Sequence, residues 1–333
     1  MKSFGIIGTG AYLPERVVLN KDLPEALDTS DAWIMEKTGI HQRHIADDAE
    51  ATSDLALHAA RRALESARVR AEELDLIIVA TSSPDMLQPS TAAILQGKLG
   101  ALNAGAFDVG AVCAGFTYAL AVALAMMRGA DHYRHVLVVG AETYSRILDW
   151  TDRTTCVFFG DGAGAVVLGE TLSPGYLSHH LGADGRYWDV IQFPAGGSRM
   201  PASQATLDNR MHAFRMQGKK VWDFAIHAFP DAVRKVAETA GVAVESIDWI
   251  ISHQANINII RASMASLGLP MSRTHTTIAN TANTSGASIP IALDDAVRSG
   301  RIQPGQLVCM VGFGGGLAWG SVLVRWVAQG SRG

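Results

Sequence analysis

Short apolar runs rich in β-branched residues recur along the chain: Leu76-Ile77-Ile78-Val79, Val136-Leu137-Val138-Val139, Val166-Val167-Leu168, Trp249-Ile250-Ile251, Val308-Cys309-Met310-Val311 and Val322-Leu323-Val324. They do not alternate with polar residues. Between them lie Ala/Leu-rich stretches of helical character, such as the one running from Cys113 to Met127 and closing at Arg128-Gly129. Continuous apolar strands alternating with helices predict an α/β fold, with parallel strands buried on both faces beneath helical layers. The opening residues, Met1-Lys2-Ser3-Phe4-Gly5-Ile6-Ile7-Gly8, read as a first strand and lack the cleavage pattern of a signal peptide.

The pattern repeats. Arg62 to Ile78 (helix, polar turn, strand) has a counterpart in Lys235 to Ile251, and Val136–Gly140 is answered by Val308–Gly312 at nearly the same offset. The helix ending at Arg128-Gly129 is answered by one ending at Ser299-Gly300. Self-similarity at a fixed offset implies two copies of one αβ unit, divided as residues 1–172 and 173–333.

This register places three chemically capable residues. Cys113, in Gly110-Ala111-Val112-Cys113-Ala114-Gly115-Phe116, stands where a strand-like run breaks and a helix begins. The free N–H groups and positive dipole of a helix start favour the reactive thiolate. Asn283-Thr284-Ser285-Gly286 opens the equivalent helix of the second half, and His253 follows the strand Trp249–Ser252 where Ala80 follows its own. Alone, each has an ordinary explanation as a core cysteine, a helix cap or a structural histidine. Together they gather at the strand ends where α/β sheets bind ligands. Two glycine-rich stretches, Phe159-Gly160-Asp161-Gly162-Ala163-Gly164 and Phe313-Gly314-Gly315-Gly316, both read as turns running into strands. Neither has the spacing of a dinucleotide loop. The glycines after Phe313 let a backbone N–H approach a ligand closely.

Composition narrows the classes further. The chain has 333 residues, and its formal net charge is −4, with a pI near 6.2. There is no basic block, so a nucleic-acid partner has little electrostatic support. No apolar run is expected to span a bilayer. Three widely spaced cysteines, Cys113, Cys156 and Cys309, fit neither a disulfide framework nor a zinc site, and a cytoplasmic protein with reduced thiols is expected.

At these motifs the chain resembles the thiolase superfamily and, within it, the β-ketoacyl-acyl-carrier-protein synthase III family. The resemblance spans essentially the whole length. It rests on Cys113-Ala114-Gly115-Phe116, His253-Gln254-Ala255-Asn256, Asn283-Thr284-Ser285 and the two glycine-rich stretches. Thr29-Ser30-Asp31-Ala32-Trp33-Ile34, Lys37-Thr38-Gly39-Ile40 and Thr151-Asp152-Arg153 add to it. It implies a thiolase-like fold of two pseudo-symmetric αβ halves in a layered αβαβα arrangement. It also implies a homodimer and a metal-free reaction with acyl-CoA as substrate rather than cofactor.

In the reaction so implied, Cys113 takes an acyl group from acyl-CoA. His253 and Asn283 then hydrogen-bond the carbonyl of a malonyl thioester as it loses carbon dioxide, and the resulting carbanion attacks the acyl-Cys. The N–H groups of Cys113 and Gly315 would form the oxyanion hole. Trp33 and Arg153 match family positions that sandwich adenine, Lys37 one near the nucleotide phosphates, and Gly218 and Asn256 positions along the pantetheine arm. Gln88, Phe159 and Phe313 match positions around the acyl group, Gln88 reaching it from the neighbouring subunit.

The chain departs from the family pattern at Gln88, where a bulky apolar residue is usual, and at Thr281-Ala282 before Asn283. Asp223, Asn258, Ala265 and Ser266 replace the basic residues that meet an acyl carrier protein; Arg215, Lys219, Lys220 and Arg261 offer a displaced basic patch. Three alternatives therefore stay open. One is a relative in secondary metabolism or cofactor synthesis that uses an unusual acyl-CoA, or that transfers the acyl group to oxygen or nitrogen. The others are a catalytically silent partner subunit and, more remotely, a nucleotide-binding module. The malonyl donor, CoA or carrier protein, is equally open.

Overall fold

A computed structural model describes residues 3–327; Met1, Lys2 and the last six residues, parts of the expected first strand and second half, lie outside them. The first half contains β1 (Phe4–Tyr12), β2 (Arg16–Leu19), α1 (Asp31–Thr38), β3 (Gln42–Ile45), α2 (Thr52–Ala67), β4 (Leu76–Ala80), α3 (Thr91–Leu99), β5 (Gly105–Val109), α4 (Gly115–Gly129), β6 (Val136–Glu142) and β7 (Gly162–Glu170). The second contains β8 (Tyr176–Ala183), β9 (Ile191–Gln192), α5 (Gln204–Asp208), β10 (Arg215–Met216), α6 (Gly218–Ala240), β11 (Trp249–Ser252), α7 (Ile257–Ser266), α8 (Ile278–Thr281), α9 (Ser288–Arg298), β12 (Leu307–Gly314) and β13 (Ala318–Arg325).

Two sheets carry the fold, in the orders β1-β7-β6-β4-β5 and β11-β12-β13-β8. The orders are the same motif: β8, β13, β12 and β11 repeat β1, β7, β6 and β4, and a parallel bridge from Ile250 to Thr274 stands where β5 pairs with β4. Helices α2 and α3 cover the outer face of the first sheet and α6, backed by α7, that of the second; α4 and α9 lie between the sheets. The layers therefore run αβαβα.

Two sequence expectations need correction. The sheets are mixed rather than parallel. β4 runs parallel to β5 and β6, and β11 to β12, but β7 and β13 run antiparallel to their neighbours. The cause in the second sheet is visible: β12 extends through Phe313 and Gly314, so only residues 315–317 turn the chain, too few for the crossover that a parallel pair needs. The glycine-rich turn is accordingly shorter than its motif suggested. The second correction concerns the apolar runs. The segment Val112–Gly129 is long and apolar enough by composition to cross a membrane. Here it is the central layer: Phe116, Leu120 and Leu124 are buried between both sheets, each contributing roughly 1.5–3 kcal/mol by leaving water.

Both central helices start in the same way. A 3-10 turn, Val112–Ala114 in the first half and Ser285–Ala287 in the second, leads directly into the α-helix. The first residue of each turn has a positive φ, 47° at Val112 and 46° at Ser285. For a β-branched valine that backbone is strained, at a cost of roughly 1–3 kcal/mol, and such strain concentrates at functional sites.

Candidate active site

The bent backbone at Val112 turns the Cys113 side chain into a cavity of about 220 Å³, lined also by His253, Asn283, Phe159, Phe313 and Gly314. The three candidate side chains thus reach one space from a 3-10 turn, a strand end and the segment before α9. Gly314 has to be glycine: a Cβ there would come within 2.8 Å of Cys113 Cβ and 3.1 Å of its Sγ. Gly315 does not line the cavity; a Cβ on it, in the turn, would meet Ile191 and Val112 at 3.2–3.3 Å.

The electrostatics of the three differ from a simple helix-start picture. Burial pushes the Cys113 thiol up to about 12, and the nearby Glu142 carboxylate adds to this, while a hydrogen bond with Ser285 acts the other way. Desolvation therefore outweighs the helix start, and the resting thiol is protonated rather than the thiolate the sequence suggested. Its Sγ lies 3.4 Å from Ser285 Oγ.

His253 is almost fully buried and stands edge-on to Phe313, ring centres 5.3 Å apart. Burial lowers its pKa to about 3, so the imidazole is neutral. Its Nδ1 is 2.7 Å from Ser288 Oγ, which also accepts the Gln254 N–H. We assign the tautomer from this pattern: the Ser288 hydroxyl proton goes to Nδ1, leaving Nε2 as an N–H donor. Asn283 is oriented likewise. Its Oδ1 accepts the Ser285 N–H at 2.8 Å, which leaves the Nδ2 amide as the donor. The cavity thus has a buried thiol and two neutral donors, and among the described residues no charged side chain lines it.

The residues expected along a CoA path fall into two groups. Gly218, at the start of α6, and Asn256, the N-cap of α7, line the cavity. Trp33, Lys37 and Arg153 do not. They are exposed and linked to one another nearby: Asn256 Nδ2 donates to the Lys37 carbonyl at 2.8 Å, Lys37 and Trp33 share α1, and Arg153 pairs with Asp28 just before α1. Phe159 and Phe313 line the cavity, whereas Gln88 is exposed and absent from its lining. Sequence reasoning missed Ile191, Phe214, Met216 and Trp222, which also line the cavity. It also missed Ser288, which holds His253 within the second half, and Glu142 and Tyr144, which meet Gly286 and Ser285 of the other half.

Known proteins share this fold over nearly the whole chain. Residues 107–185 match the family described as 3-oxoacyl-(acyl-carrier-protein) synthase III, and residues 237–326 match its C-terminal part. The chain belongs to the β-ketoacyl-(acyl-carrier-protein) synthase III family. A curated member from Caldanaerobacter subterraneus subsp. tengcongensis is 50% identical over 323 residues, 97% of either chain. Among solved members of the synthase III family, that of Aquifex aeolicus superposes with a TM-score of 0.89 at 41% identity, covering 97% of this chain and 100% of the other. The priming β-ketosynthase of the R1128 polyketide biosynthetic pathway superposes with a TM-score of 0.91 at 34% identity, covering 99% and 98%.

Proposed function

We propose that the protein is a condensing acyltransferase that starts fatty-acid chains, with Cys113, His253 and Asn283 as its catalytic residues. Cys113 Sγ attacks the carbonyl of acyl-CoA, CoA leaves, and the acyl group stays on sulfur. The malonyl thioester, carried by acyl carrier protein or CoA, then binds with its thioester oxygen between His253 Nε2 and Asn283 Nδ2. These donors stabilise the enolate as carbon dioxide departs; the carbanion attacks the acyl-Cys113 carbonyl, and the thiolate leaves. The N–H groups of Cys113 and Gly315 hold the oxyanion. The observation that carries this reading is the fixed orientation of two neutral donors beside a buried thiol. A neutral histidine suits enolate stabilisation, since it donates without being drained of its proton.

Acyl-CoA enters past Trp222, Gly218 and Asn256, with Trp33 and Arg153 holding adenine and Lys37 near the phosphates. Exposed Arg215, Lys219 and Lys220 stand beside the residues of the mouth and suit an acidic carrier protein. We further propose a homodimer, because among the described residues β5 pairs with β4 alone and leaves a free sheet edge, and because Gln88 then reaches a partner's acyl pocket. The buried, unpaired cysteines suit the reducing cytoplasm. The polar Gln88 also supports a second reading, in which the acyl group is an unusual one from secondary metabolism. Intact-protein mass spectrometry with a panel of acyl-CoA thioesters, followed by a chase with malonyl-carrier protein or malonyl-CoA, decides between them. Condensation requires an acyl mass gain on Cys113 that the malonyl thioester discharges with carbon dioxide release. A stable adduct that no malonyl thioester discharges rejects it.

A further inference from the structure

Glu142, at the end of β6, is fully buried about the core of the site, and neither half of the proposed reaction uses it. Every group that meets its carboxylate is a donor. Ser82 Oγ reaches Oε1 at 2.9 Å, Ser83 Oγ reaches Oε2 at 2.5 Å, Thr81 Oγ1 reaches Oε2 at 3.3 Å, and the Ser82 and Gly286 N–H groups complete the set. The hydroxyls have little freedom to point elsewhere: Ser83 Oγ already accepts the Thr143 N–H, and Thr81 Oγ1 the Ser83 N–H. A carboxyl surrounded only by donors is an ionised one.

This carboxylate is connected to the nucleophile. Cys113 Sγ meets Ser285 Oγ at 3.4 Å, the Ser285 hydroxyl neighbours the Tyr144 phenol and favours its ionised form, Tyr144 Oη meets Ser82 Oγ at 3.0 Å, and Ser82 Oγ donates to Glu142. Tyr144 is fully buried and held by stacking on Phe159, ring centres 4.8 Å apart. Meanwhile the cavity itself offers the thiol no base, because His253 Nδ1 is occupied by Ser288 and Nε2 carries a proton. The titratable groups facing Glu142 are Tyr144 and Cys113, so the path has one charge and one place for a proton to go.

We propose that Glu142 is the store for the Cys113 proton, reached through Ser285, Tyr144 and Ser82. As Sγ bonds to the acyl carbon, its proton passes to Ser285 Oγ; each hydroxyl hands its own proton onward, and Glu142 becomes neutral. The departing CoA thiolate takes a proton from solvent. Glu142 keeps its proton while the acyl-enzyme lasts. When condensation releases Cys113 as a thiolate, the proton returns along the same path. One solvent proton is consumed per cycle, as replacing a carboxylate by carbon dioxide and a carbanion equivalent requires. Burial favours the neutral form of Glu142, which suits a temporary acceptor.

The inference rests on Cys113 being the acylated residue, and the test separates the two ideas. Tyr144→Phe keeps the stacked ring and removes the one hydroxyl that joins Ser285 to Ser82. Alkylation of Cys113 by iodoacetamide, mapped by mass spectrometry, reads proton removal without any acyl substrate, and it is expected to slow at least tenfold. Acylation by acyl-CoA should slow equally, whereas discharge of a preformed acyl-enzyme by malonyl thioester should stay within twofold of the wild type. Glu142→Gln should reproduce this if it folds; Ser82→Ala serves if it does not. Unchanged alkylation in Tyr144→Phe, or acylation and discharge slowed alike, would overturn the store. Wild-type protein that alkylates normally but accepts no acyl group would instead reject Cys113 acylation, with the alkylation comparison still deciding the proton path.

Discussion

The two helix starts at the centre of the molecule share one backbone and differ in what they carry. Val112 and Ser285 take the same positive φ, and Cys113 and Gly286 follow them. Each turn is pressed against the other half's strand: a Cβ on Gly312 would meet the Cys113 carbonyl at 3.1 Å, and one on Gly140 would meet that of Gly286. Two residues further along those strands stand Gly314, against Cys113, and Glu142, against Gly286. One copy therefore puts its side chain on the turn and a glycine on the strand. The other puts a carboxylate on the strand and a glycine on the turn. A duplicated scaffold carries a thiol at one junction and a buried acid at the other, because each junction has room for a single such side chain.

Substitutions at and around the two junctions separate their roles. The largest effect short of removing the nucleophile is expected at Asn283→Ala, which should leave acylation intact and lower malonyl discharge by about 10²–10³, the usual result of losing one preorganised donor; single-turnover measurement of each step checks it. Next, Gly314→Ala should displace Cys113, losing acylation and about 1–3 kcal/mol of stability through overpacking. Gly286→Ala, whose Cβ would meet Glu142 Oε1 at 3.1 Å and the Val112 carbonyl at 3.3 Å, should cost less. Urea midpoints and acylation rates of the pair test whether the junctions are unequal in the direction described.

Acidification gives a third prediction. His253 is neutral in the folded protein, with a pKa near 3, against an ordinary value near 6.5. The unfolded chain then binds the extra proton first, so this residue's contribution to stability is complete above about pH 6.5 and is lost as pH falls toward 3. His253→Gln should flatten that part of the stability–pH curve. The smallest effect is expected for Ser288→Ala, which loses one hydrogen bond to the imidazole, worth about 0.5–1.5 kcal/mol, or a two- to tenfold slower discharge with acylation unchanged.

Much of this was legible in the chain. The repeat from Arg62 to Ile78 and from Lys235 to Ile251 located the two halves, and its register brought Cys113, His253 and Asn283 to one place before any coordinates. The strand directions were not legible, because an apolar run has the same composition either way round and only the length of the connecting turn decides. Nor was the state of the thiol: a helix start is visible in sequence, but the burial that reverses its effect belongs to the packed molecule. Glu142 and Tyr144 belong to no motif of the chain, and their significance comes from Ser82 and Ser285, distant in the chain and adjacent in space.

The central claim is that one thiol holds the acyl group while separate donors drive decarboxylation. It is tested most directly by following acyl adduct and released carbon dioxide in the same reaction mixture, for wild type, Cys113→Ala and Asn283→Ala. Both signals are expected in the wild type, no adduct in Cys113→Ala, and a persistent adduct with little carbon dioxide in Asn283→Ala. An adduct formed by Cys113→Ala at the wild-type rate would contradict it.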